Sequence, residues 1–263
     1  NSFRLGVSKT YTLPQAKEIS PYRYVGVNFN SQGNPNLKPS DNYNLDLKWD
    51  FNPTPTELIS LTAFYKLIKN PISRIEVASA GGYLSYENIA DKATVAGVEI
   101  EIRKNLFVRP VSNAAHGMNK LSLGLNGSYI YTNAKMPLAT VTTGSQLEGA
   151  APWIVNFDLS HNFTKGERSF VNTLVLNYVS DKIYTIGTQG YQDMMEQGVL
   201  TLDFVSQAKL NKHLSLNLKA RNLLNPSYKL SRKANENGEK VILNDYKKGI
   251  NISLGVSCTL KTG

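Results

Sequence analysis

The sequence predicts an all-β chain, an antiparallel up-and-down meander of about ten strands long enough to cross a bilayer. Three observations predict it. Apolar and polar residues alternate with period two along most of the chain, the alternating runs are long, and short turns alternate with long loops. No helical 3.6-residue period persists beyond two turns.

The clearest run sets Tyr43, Leu45, Leu47, Trp49 and Phe51 against Asn42, Asn44, Asp46, Lys48 and Asp50. Trp153, Val155, Phe157 and Leu159 oppose Asn156, Asp158, Ser160 and Asn162, with Ile154 and His161 as imperfect members. Leu214, Leu216, Leu218 and Ala220 oppose Ser215, Asn217, Lys219 and Arg221. The last run sets Ile250 through Leu260 against Asn251, Ser253, Gly255, Ser257 and Thr259. Such runs give strands at roughly 3–13, 41–51, 57–70, 84–104, 120–132, 152–163, 169–183, 199–210, 213–223 and 247–260. Several exceed the ~5–6 residues common in soluble sheets and reach the ~9–11 of tilted transmembrane strands.

The links after the second, sixth and eighth strands are short: 52–56, 164–168 and 211–212. Those after the first, third, fifth, seventh and ninth are long, at about 14–40, 71–83, 133–151, 184–198 and 224–246. Short turns on one rim and long loops on the other describe an outer-membrane barrel. The 105–119 link falls on the short rim yet reads as long. Aromatic placement agrees with that layout. Trp49, Phe51, Phe163 and Phe170 fall near the short-turn side, and Tyr129, Tyr131, Trp153, Tyr178 and Tyr184 near the other, as expected of interfacial rings. These patterns alone leave open a soluble sheet packed on a second sheet, for instance a glycan-binding module, and a passive pore or autotransporter barrel.

Composition narrows the classes. At 263 residues and 41% hydrophobic the chain is too apolar for disorder, and 19 Gly with 11 Pro are too few for a fibrous protein. One cysteine, Cys258, allows no internal disulfide; it shares the apolar face of the last strand and reads as lipid-facing. No stretch approaches the ~20 continuous apolar residues of a membrane helix. The chain opens at Asn1 inside an alternating pattern, so it is expected to be a piece of a longer one, with its targeting signal unread.

Four segments carry a resemblance. Gly33-Asn-Pro-Asn-Leu-Lys-Pro39 precedes Tyr43-Asn-Leu-Asp-Leu47, and Leu61 to Ile72 reads LTAFYKLIKNPI. Asn88 to Glu101 ends in Gly97-Val98-Glu99-Ile100-Glu101, and Asn222-Leu-Leu-Asn225 precedes Tyr228. In that order they resemble the C-terminal half of the barrel of TonB-dependent outer-membrane receptors, in particular the Bacteroidetes type. The resemblance implies about ten strands of a 22-stranded barrel that would hold an N-terminal plug, with residues 1–263 as one C-terminal barrel segment. It implies TonB-energised uptake of a scarce nutrient (siderophore, vitamin, glycan or peptide), no enzymatic activity and no cofactor. Partners implied are outer-membrane lipid and lipopolysaccharide, the TonB complex acting through the plug, and a surface lipoprotein lid. The family closes its last strand on an aromatic residue, whereas Leu260 here is followed by Lys261-Thr262-Gly263. The motifs themselves read as barrel-shaping: Pro punctuates the loop ends, and Gly97 allows a close approach or a bulge.

No catalytic or metal pattern is present. His116, His161 and His213 are isolated, the latter two reading as interfacial or turn residues and His116 as part of the 105–119 link. Asp46, Lys48, Glu99, Glu101, Arg103, Lys219 and Arg221 are expected to face the lumen, where Glu99, Glu101 and Arg103 would form an ion network. Net charge is +9, but the basic residues form no single stripe, which argues against nucleic acid. Their densest cluster, Lys229, Arg232, Lys233, Lys240, Lys247 and Lys248, reads as a solvated outer loop. Ligand contacts are expected from the long loops, mostly from their aromatic residues: Tyr22, Arg23, Tyr24 and Phe29, then Tyr83 and Tyr86, then Tyr191 and Met194.

Overall fold

A computed structural model describes residues 1–77, 79, 82–111, 117–136, 146–234 and 238–259. In chain order it runs β1 (Ser2–Thr12), a one-turn helix α1 (Ala16–Ile19), β2 (Arg23–Tyr24), β3 (Ser31–Gln32), β4 (Ser40–Phe51) and β5 (Leu58–Lys69). Then follow β6 (Ile72–Val77), β7 (Tyr83–Asn88), β8 (Lys92–Pro110), β9 (Met118–Ala134), β10 (Trp153–Lys165) and β11 (Arg168–Val179). The chain continues through β12 (Lys182–Thr185), β13 (Met194–Glu196), β14 (Val199–Lys209) and β15 (Leu214–Arg221). It finishes with β16 (Ser227–Lys233), β17 (Lys240–Lys247) and β18 (Asn251–Cys258).

Ten of these strands make one antiparallel sheet in the order β1-β4-β5-β8-β9-β10-β11-β14-β15-β18. Each expected strand has its counterpart there. The register preserves the two faces from strand to strand, because directly opposed residues point the same way. One row runs Leu5, Leu47, Ala63, Val98, Tyr129 and Trp153 across six strands. The next runs Arg4, Lys48, Thr62, Glu99 and Ser128. The apolar face has no second layer of described protein over it: Leu5 is 71%, Leu47 52% and Leu254 72% exposed. That excludes the soluble-sandwich arrangement, in which these rows would be covered.

The core lies elsewhere. Buried apolar residues gather in the long connections, around Ile75, Ile89, Leu147, Ile183 and Ile186, with Ala93 and Ala134 at the adjoining edge of the wall. Two small sheets organise this region, β2-β3-β7-β6 and β12-β13-β16-β17.

Three boundaries differ from expectation. The 84–104 run is two strands: β7 leaves the wall because Ile89 and Ala90 turn into the core, while Asn88 bonds Lys38 and Asn70. The 169–183 run likewise splits, with β11 in the wall and β12 in the loops. The supposed long link after Lys104 is mostly ladder. β8 continues to Pro110, paired with Met118, after a bulge between Asn105 and Phe107. His116 lies outside the described residues, as do Glu236 and Leu260 to Gly263.

The motifs shape the rim. Asn34 accepts the Asn36 backbone N–H (3.0 Å) and donates to the Tyr86 carbonyl (3.0 Å), tying the first loop to β7. Asn222 and Asn225 sit at φ +58° and +42°, the left-handed region that Asn tolerates. Asn222 donates to the Gly249 carbonyl (2.7 Å), and Asn225 accepts the Gly249 N–H (3.1 Å). Gly97 forms no bulge. The ladder runs through it unbroken, and the Phe64 ring occupies the space a Cβ would need.

Candidate functional site

The long connections knit into a crown. β6, which follows β5, meets the segment after β12, which follows β11, in a parallel bridge at Ile75 and Ile186, although β8, β9 and β10 lie between β5 and β11 in the wall. Glu76 N–H donates to the Ile186 carbonyl (3.1 Å) and Ile186 N–H to the Arg74 carbonyl (3.0 Å). The middle loop joins through Gly149 N–H on the Ile183 carbonyl (2.9 Å).

Two arginines fasten it. Arg74 Nη2 donates to Glu148 Oε1 at 2.7 Å, its backbone N–H donates to Glu148 Oε2 at 2.6 Å, and its guanidinium lies 4.0 Å from the Tyr184 ring centre. Arg232 of β16 pairs with Glu76 of β6 and lies 5.2 Å from the Tyr191 ring centre. Each knot thus takes its arginine, carboxylate and tyrosine from three different connections. Low exposure of both partners strengthens the attraction, and the planar guanidinium serves carboxylate and ring together.

Clefts open beside both knots. One, of about 450 Å³, is lined by Asp181, Asp193, Met195, Arg232, Lys233 and Lys240. Asp193 accepts the Gly187 N–H at 2.8 Å, yet burial pushes its carboxyl above the ordinary range. Another, of about 210 Å³, lies between Phe29, Arg74, Tyr86 and Tyr184.

The expected ligand residues divide between these places. Phe29, Tyr83, Tyr86 and Arg23 gather around the β2-β3-β7-β6 sheet, with Arg23 5.5 Å from the Tyr83 ring centre. Tyr191 stands at the other knot, Lys17 lies over Tyr24, and Tyr22 is 76% exposed. Tyr83 and Tyr86 lie on β7, inside the second long connection. Two expectations are corrected: Met194 is 2% exposed and packs inward, and Tyr184 turns its ring to Arg74 and away from any interfacial girdle. Arg232 is also not a solvated loop charge, because Glu76 and Tyr191 enclose it. Arg74, Glu76, Glu148 and Asp193 gave no sequence signal: Arg74 and Glu76 lie on β6, a short strand within a stretch that reads as loop, and Glu148 and Asp193 lie in irregular stretches.

On the wall, Asp46, Lys48, Glu99, Glu101, Arg103, Lys219 and Arg221 share the polar face. Arg103 pairs with Glu101 at 2.7 Å and Lys48 with Asp50 at 3.6 Å. Asn156 links Asn126 (3.3 Å) and Asn177 in an amide ladder across three strands. The apolar face carries the paired rings: Trp49 and Phe51, Tyr129 and Trp153 (4.6 Å), Phe163 and Phe170 (6.4 Å), with Tyr131 and Tyr178 on the same face. Among the described residues no three His, Cys, Asp or Glu converge to hold a metal ion.

A two-faced antiparallel wall, apolar on its open side, with the buried core of its described residues in the loops of a single rim, defines an outer-membrane β-barrel. Residues 1–223 match the family model "TonB dependent receptor-like, beta-barrel", and the chain belongs to that family. The iron-regulated outer membrane virulence protein of Vibrio cholerae serotype O1 (El Tor Inaba) is 26% identical over 208 residues, 75% of this chain and 29% of that protein. Its counterpart in the Classical Ogawa strain is 25% identical over the same shares. The chain therefore spans under a third of the curated relatives it matches. Copper transporter OprC superposes with a TM-score of 0.61 at 14% identity, covering 97% of this chain and 38% of that one. The ferric enterobactin receptor PfeA of Pseudomonas aeruginosa gives 0.57 at 17%, with the same coverage. At such identities the likeness is one of fold.

Proposed function

We propose that residues 1–263 are the C-terminal barrel segment of a receptor for energised uptake of a scarce nutrient across the outer membrane. The carrying observation is the continuous register that keeps one face apolar and the other polar across ten strands. The apolar face then meets acyl chains. The polar face, with Asp46, Glu99, Arg103 and Lys219, lines an interior that would hold a plug coupled to TonB.

The crown is the outward entrance. Its clefts, beside Phe29, Tyr86 and Tyr191, receive the nutrient before it moves inward; no bond is made or broken. The names of the relatives favour a metal or its chelate among the candidate nutrients. The four motif segments favour the Bacteroidetes type, in which a surface lipoprotein could cover the crown, and the basic β16–β17 hairpin faces lipopolysaccharide phosphates.

The test uses cells whose sole copy of the complete gene carries either the wild type or the double variant Y86A/Y191A. Uptake of a panel of ferric and cupric chelates should require TonB, collapse with a protonophore and fall in the variant. Uptake that persists without TonB would replace the reading with a passive pore.

A further inference from the structure

The apolar face is interrupted near its short-turn edge. Along β10 it presents Trp153, Val155, Phe157 and Leu159, then His161 before Phe163. The ladder sets His161 opposite Asn172 on β11 and Asn172 opposite Ser206 on β14, while Asn119 of β9 stands opposite Phe163. His161 Nε2 contacts Asn119 Oδ1 at 2.8 Å, and Ser206 Oγ donates to Asn172 Oδ1 at 2.7 Å. These pairs leave the Nδ2 amino groups of Asn119 and Asn172 with no acceptor among the described residues. Polar groups toward lipid are costly unless something satisfies them.

Closer to the turn the same face becomes basic. Lys165 is opposite Arg168, and Arg109, brought into phase by the β8 bulge, is opposite Asn119. All three are exposed, and none forms an ion pair among the described residues; Glu167 occupies the turn itself. From the turn inward the strip starts with Lys165 and Arg168, continues with the row Arg109, Asn119, Phe163 and Phe170, and ends at His161 and Asn172. From Lys165 to His161 is four residues, about 13 Å along the strand and about 9 Å along the membrane normal at a ~45° tilt, the scale of the headgroup-to-acyl boundary.

We propose that this strip binds an anionic phospholipid of the leaflet next to the short turns. Lys165, Arg168 and Arg109 hold the phosphate, and the Asn119 and Asn172 amides donate to the ester carbonyls. A lipid fits better than a protein surface because the strip offers unmatched donors and cations, and phosphates and esters are acceptors only. The site rests on the barrel reading and is independent of what is transported.

Native mass spectrometry of the complete gene product, supplied with phosphatidylglycerol or phosphatidylethanolamine, tests it. The wild type should retain phosphatidylglycerol preferentially. K165Q/R168Q should cut that retention about tenfold or more, on the scale of two surface cations. N172L/S206A should lower retention of both lipids several-fold. Heat-modifiable migration on gels keeps folding separate, and K165Q alone serves if a double variant misfolds. Equal retention by every variant would overturn the site. So would a co-purifying protein lost in N172L/S206A while lipid stays bound. A wild type without heat-modifiable migration would overturn the barrel reading first.

Discussion

The wall and the crown use the same hydrophobic residues in opposite ways. Leu5 and Leu47 lie open on the wall, while Ile75 and Ile186 are 4% and 1% exposed in the crown. On the proposed barrel reading the bilayer covers the wall's apolar face, so the wall's described residues build no protein core there. The crown builds its own interior and adds two enclosed ion pairs. Both regions are mainly antiparallel sheet, the crown adding a parallel β3–β7 pair and the parallel Ile75–Ile186 bridge, so strand content alone does not separate them. What covers the side chains does.

The sharpest way to break that contrast is Arg232→Ala. It strands Glu76, whose side chain is 13% exposed, and breaking an enclosed pair this way costs about 3–5 kcal/mol. Hydrogen exchange should show β6, β12 and β16 opening while wall strands stay protected and the protein stays heat-modifiable. Joint loss of wall and crown would show one cooperative unit.

Next comes Ile186→Ala, expected to cost about 2–5 kcal/mol because a packed site keeps a cavity. Leu47→Ala should cost less, about 2 kcal/mol at most, because lipid closes over the missing atoms. Denaturant unfolding from vesicles measures both, and equal costs would deny that Leu47 faces lipid. A charge sharpens the same point. Leu47→Arg should cost about 2–4 kcal/mol if the site lies near mid-bilayer, and Asn44→Arg on the polar face close to nothing.

The smallest effect belongs to the turn after β4. The Asn105 backbone N–H (3.0 Å) and the Lys104 ammonium (3.5 Å) hold the Glu57 carboxyl below the usual carboxylate range. A depressed folded-state value contributes stability above the unfolded value and loses it as pH falls through the folded one. Glu57→Gln should therefore loosen the β5–β8 end at neutral pH, with the difference from wild type vanishing in acid. A difference that persists in strong acid would assign the effect to packing.

The wall was largely legible from sequence because it rests on local alternation, and strands such as Ser40–Phe51 keep one phase throughout. It failed where phase slipped. The bulge at Asn105 to Phe107 moves the outward set from Ile100 and Ile102 to Phe107 and Arg109, so the rest of β8 looked like a link. The crown was much less legible. Its strands are as short as Arg23–Tyr24, and its pairings are non-local. Arg74 and Glu148 look like ordinary solvated charges until the fold brings them together. The expected ligand residues are a partial guide: Phe29 and Tyr86 do share a cleft, but Met194 is buried.

The Arg74 side chain reaches a carbonyl 110 residues further along, at Tyr184. Four complete wall strands must be laid side by side before those partners can meet, so the knot is among the last things to form. A conformation-specific antibody against it would recognise finished molecules and ignore stalled ones, which makes this fastening a natural reporter of barrel biogenesis.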